Sequence, residues 1–115
     1  MTMGYLCHHA FVVTGSRPGS GDLDVLIAAH STARELGLEP TELTPLVLNG
    51  FRSFMIPPDG SKAGWPEDAE GNRKRAAFRE WLAAQNYADG SSPVQWVEVQ
   101  YGDDEDDNRI VACSV

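Results

Sequence analysis

Four clusters of turn-forming residues cut this chain into short apolar segments, and that punctuation limits the fold more than any other feature of the sequence. The clusters are Gly15 to Gly21, Asn49-Gly50, Pro57 to Gly60 and Asp89 to Pro93. Glycine reaches the positive φ that tight turns need, and proline fixes φ while removing a donor, so neither sits well inside a helix or a central strand. Between the clusters, apolar residues recur with the two-residue period of a strand or the 3.6-residue period of a helix.

Tyr5 to Thr14 is rich in aromatic and β-branched residues on both alternating sides, as in a central strand covered on at least one face. Asp22 is a good N-cap, and Leu23, Leu26, Ile27, His30, Ala33 and Leu36 follow the helical template up to Gly37, which supplies the C′ stop. Leu43 to Leu48 and Phe51 to Ile56 flank Asn49-Gly50, the pair best suited to a type I′ turn, and so are predicted to form a hairpin. Pro45 has no donor, which places the first of these strands at an edge or makes Pro45 its first residue. A second helix is expected from about Glu67 or Asn72 to Gln85, with its acidic first turn and later basic residues matching the helix dipole. Its Phe78, Trp81, Leu82 and Gln85 share one side, and Arg73, Lys74, Arg75 and Arg79 read as an ordinary charged face beside Glu67, Asp68, Glu70 and Glu80. Val94 to Tyr101 then alternates, with Val97, Val99 and Tyr101 facing one way and Trp96, Glu98 and Gln100 the other. Arg109 to Val115 is its simplest hairpin partner.

The order β-α-β-β-α-β-β predicts an α+β fold in which right-handed crossovers after the first and third strands place both helices on one side of a sheet. Its first six elements resemble the ferredoxin-like order, a two-layer sandwich, with the last strand added at the C-terminal edge. That fold hosts enzymes, ligand-binding dimers and interaction modules alike. At 115 residues, with 42% apolar and 23% charged residues, positions 1–115 form a single globular domain.

The net charge of −8 is concentrated, since Asp103, Asp104, Glu105, Asp106 and Asp107 supply five negatives and leave −3 for the remainder. Nine basic residues against seventeen acidic ones argue against direct nucleic-acid binding, which rests on Lys and Arg neutralising phosphates. Basic protein surfaces are the natural complement. Cys7 and Cys113 belong to no metal or disulfide spacing and read as thiols, and no export signal or membrane span is encoded, which gives the expectation of a cytoplasmic protein.

Each candidate site stands beside a structural alternative. The glycine-rich turn before Asp22 lacks a Gly-Lys-Ser/Thr ending, and Asp22 and Asp24 would repel a phosphate there. Cys7, His8, His9 and His30 are the candidate ligand or metal residues; alternation puts Cys7 and His9 on one face and His8 on the other, with His30 joining the first pair if that face meets the first helix. Otherwise His30 is a core-edge histidine. The acidic run lacks the glycine and terminal glutamate of a calcium loop and serves either as a solvated tip or as a partner contact. Trp96, placed with Glu98 and Gln100 on the helix-free face, is a candidate hot spot there, or part of a homodimer interface between two open sheet faces. No catalytic or metal signature is present and no cofactor is expected. The leading expectation is an acidic, non-enzymatic interaction module, an inhibitor or neutralising protein that engages a basic partner through Asp103 to Asp107 and Trp96. The alternative is a dimeric small-molecule-binding protein or small enzyme with a pocket near the histidines of the first strand.

Overall fold

Alternation along the strands sorts the apolar residues onto two faces, and the structure shows which face each helix covers. A computed structural model describes residues 6–15, 22–45, 50–58, 60 and 65–114, apart from the side chains of 22–24 and 107. Its elements are β1 (Cys7–Gly15), α1 (Asp22–Glu35), β2 (Arg52–Ile56), α2 (Pro66–Ala84), β3 (Gln95–Gly102) and β4 (Arg109–Cys113), with a short 3-10 turn at Glu105–Asp107. The strands form one antiparallel sheet in the order β2-β1-β3-β4. The fold is therefore α+β, and among the described residues no helix is long and apolar enough to cross a membrane.

Phe11 and Val13 of β1 stand opposite Ile56 and Phe54 of β2, and all four point toward the helices. Leu26, Ala29 and Ala33 of α1, Phe78 and Leu82 of α2, and Val94 just before β3 complete this core. Phe11 and Phe78 meet edge to face at 5.2 Å between ring centroids. Burying each large apolar side chain of this set stabilises the fold by about 1.5–3 kcal/mol. On the opposite face Val12, Met55, Tyr101 and Ile110 remain between 39% and 63% exposed.

α1 ends as expected at Gly37, whose φ of +82° closes a Schellman turn. The Gly37 amide donates to the Arg34 carbonyl and the Leu38 amide to the Ala33 carbonyl, each at 3.0 Å. α2 begins earlier than either predicted start, because Pro66 at its first position has no amide to satisfy and a φ already suited to a helix. Gly71 does not interrupt it.

One expectation is corrected and a second is shown only in part. The predicted strand over 43–48 does not form in its described part, residues 43–45, and the remainder lies outside the described residues. This segment does run beside β2, where the Thr41 and Thr44 amides donate to Met55 and Ser53 carbonyls. The return bonds, however, end on the Thr41 and Thr44 hydroxyls, with Met55 and Ser53 amides donating at 2.9 and 3.0 Å, so a regular ladder does not develop. Gly50 has a φ of +74°, as a tight turn requires, whereas Asn49 lies outside the described residues. The full ferredoxin-like order is not shown, because the strand expected over 43–48, which would be its second, does not form in its described part.

Candidate functional site

The register of β1 against β3 decides the chemistry of the site. Phe11 stands opposite Glu98, Val13 opposite Trp96 and His9 opposite Gln100, so Trp96, Glu98 and Gln100 share the helix-covered face. This corrects the placement of that trio on the helix-free face. Trp96 is half-buried with its ring 6.1 Å from Phe11, and the apolar Val97, Val99 and Tyr101 turn outward instead.

Glu98 is therefore a carboxylate inside the protein, 1% exposed. Its Oε1 lies 2.7 Å from Nε of Arg79, and its Oε2 lies 3.8 Å from Nδ1 of His9. Burial pushes its carboxyl above the usual range, against the opposing pull of Arg79, then Arg75 and Arg109. Arg75 is itself only 4% exposed and donates to Oδ1 of Asn72 at 2.5 Å. The reading of Arg75 and Arg79 as part of an ordinary charged face is thus corrected: both turn toward the sheet, while Lys74 keeps the expected surface pairing with Glu70 at 3.5 Å.

Above this cluster lies a cavity of about 260 Å³. His9 and Arg75 line it, Leu38, Ile56, Pro57 and Pro58 give it an apolar wall, and Glu39, Glu67 and Glu70 stand around it. Glu39 holds a positive φ of +53°, a left-handed conformation that disfavours a side chain by about 1–2 kcal/mol. The ammonium of Lys74 sits over the end of α1, only 3.2 Å from where a Cβ at Gly37 would lie, and so complements that helix terminus. Nδ1 of His9 lies 3.8 Å from Oε2 of Glu98, beyond hydrogen-bond distance but close enough for the carboxylate to favour a protonated imidazole.

The other sequence candidates are dispersed. His30 is the expected core-edge residue, 9% exposed, with Nε2 2.8 Å from the Thr41 carbonyl oxygen and its ring edge-on to Phe54. His8 lies on the opposite face from His9, 5.1 Å from the Tyr101 ring, and its Nδ1 is buried without a hydrogen-bond partner among the described residues. Cys7 is buried, Cys113 is exposed, and neither is in a disulfide. Among the described residues no group of three or more His, Cys, Asp and Glu could hold a metal ion.

Local structure occupies part of the acidic tip. Asp103 accepts from the Leu6 amide at 2.9 Å and donates its own amide to the Leu6 carbonyl, and an oxygen of Asp104 accepts from the Asp106 amide at 3.0 Å. Residues 103–106 are exposed, and the side chain of Asp107 lies outside the described residues.

Sequence reasoning missed Glu98, Arg75 and Arg79. The available signal lay in the second helix, where 75, 78, 79 and 82 follow the i, i+3, i+4, i+7 stripe. Two arginines on the stripe of Phe78 and Leu82 call for a carboxylate on the facing strand. Compared with protein-family models, curated proteins and solved structures, the chain matches none.

Proposed function

We propose that this protein binds a small molecule in the cavity between β1, the end of α1 and α2. The observation that carries the reading is a cavity lined by a nearly buried guanidinium and by a histidine backed by a buried carboxylate. Buried charge is expensive unless well paired, and apolar residues of similar volume would often serve stability as well or better. Such groups gathered beside a concave surface are a recurring mark of ligand sites. The left-handed backbone at Glu39, on the same cavity wall, is a second local cost placed at the same site.

A small-molecule library screened by amide chemical shifts tests this reading. Compounds that bind are expected to move Leu38, Ile56 and Gly71 together, and Leu38→Trp, which fills the cavity, is expected to abolish the response while the rest of the spectrum stays folded. A library that leaves those amides unmoved would overturn the reading.

A second reading, the acidic interaction module, is favoured by the exposure of residues 103–106 beside the equally exposed Tyr101 and Ile110. Because Asp103 and Asp104 have internal roles, its test substitutes Glu105→Gln, Asp106→Asn and Asp107→Asn. A basic partner retained from lysate at low salt by the wild type and lost by this variant would support it, and equal capture by both would reject it.

A further inference from the structure

We infer that two copies of this chain pair through the helix-free face of the sheet, about a twofold axis that crosses the strands and sets the two sheets antiparallel. All four strands are described along their whole length, and on this side none of them presents an Asp, Glu, Lys or Arg, in a chain of which 23% is charged. A neutral face with large apolar side chains left in water is the mark of an interface.

The occupant that fits is the same face of a second copy. Four strands about 4.8 Å apart, five to nine residues long at about 3.3 Å each, make a face of roughly 450 Å², so two of them meeting bury roughly 1,000 Å², the size at which a specific interface begins. The relief is self-complementary. Toward one end Tyr101 and Ile110 project, 42% and 63% exposed, and toward the other lies a shallow depression of about 280 Å³ among Val12, Thr14, Gln95 and Val97. An axis across the strands carries each end onto the opposite end of its mate, which seats both Tyr101 rings over the depressions and lays Ile110 against Cys113 and Val99 against Val97.

Charge selects between the two twofold axes open to stacked sheets. An axis along the strands would bring the two acidic tips, which follow directly on β3, to about 10 Å from each other, the spacing of packed sheets. The axis across the strands sends them to opposite ends, well beyond a Debye length. A basic protein, by contrast, finds no carboxylate on this face to engage. The cavity lies on the helix side, so this pairing neither needs nor blocks a ligand there.

The test is sedimentation equilibrium of the full chain, from about 1 μM to about 0.5 mM. A monomer–dimer equilibrium is expected, with a Kd on the order of 10 μM for an interface at the small end of the range. Ile110→Lys should raise that Kd at least about tenfold, whereas Ile27→Lys, at an exposed isoleucine of α1, should leave it within about twofold. Both positions are exposed, so neither variant disturbs the core. Spin labels at Glu105→Cys in a Cys113→Ser background, with Cys7 buried, then read the axis: roughly 40 Å between labels for the antiparallel pair, below about 20 Å for the other. A chain that stays monomeric throughout overturns the inference and leaves the face to a different kind of partner. A dimer that Ile110→Lys does not weaken, or whose labels lie within about 20 Å, overturns it as well.

Discussion

β3 and the turn that follows it carry two kinds of negative charge only a few residues apart, and they behave in opposite ways. Asp103 to Asp106 lie in water at the strand's end, where two carboxylates bond to neighbouring amides and the charge is cheap to maintain. Glu98, five residues before Asp103, is enclosed under α2 and depends on Arg79 for compensation. The tip dominates the charge count of the sequence, whereas Glu98 is the acidic residue buried against the helix arginines. Position relative to solvent, and not density along the chain, decides which charges matter.

The contrast is most open to attack at Arg79. Arg79→Leu leaves Glu98 buried with weaker compensation and should cost about 3 kcal/mol in urea unfolding at neutral pH, whereas adding Glu98→Gln should restore most of the loss. A double variant as unstable as the single one would show that Arg79 acts through packing alone.

Glu98→Gln by itself sharpens the point through pH. The folded-state pKa of Glu98 is raised, so its stabilising effect relative to the unfolded chain is fully present below the ordinary glutamate value of 4.5 and is lost as pH rises through the folded value. Stability curves of wild type and variant should therefore diverge in the variant's favour as pH rises from 4.5, and a constant gap across that window would contradict a desolvated carboxyl.

At the tip, geometry should outweigh charge. A Cβ at Gly102 would stand 2.1 Å from the backbone oxygen of Leu6, so Gly102→Ala must shift the paired ends of β1 and β3 and should cost about 2 kcal/mol. Asp103→Ala removes the acceptor for the Leu6 amide and is expected to cost about 1 kcal/mol by thermal or urea unfolding. The smallest effect belongs to Glu105→Gln with Asp106→Asn, whose exposed side chains should change stability by no more than about 0.5 kcal/mol. A larger loss there would mean that the exposed carboxylates stabilise the turn after all.

Much of the fold was legible because it depends on local rules. The stop at Gly37 and the pairing of β3 with β4 each follow from local sequence signals. The faces of β3 were not legible. An alternating strand offers two equivalent choices, and three apolar residues made Val97, Val99 and Tyr101 the natural inward set. Pairing with β1 reversed this, because Phe11 and Val13 bring Glu98 and Trp96 to their own side. The candidate site shared that fate: His9 was named from the sequence, whereas its partners required knowing what lies across the sheet and above it.

The sequence by itself determined an acidic α+β chain of two helices and short strands, because composition and hydrophobic period act within a few residues of each position. Only the tertiary structure decided that Glu98, Arg75 and Arg79 meet beneath a cavity beside His9. Their meeting is a long-range consequence of strand register, and register is fixed by which complete set of side chains buries best, a comparison that no single segment can make for itself.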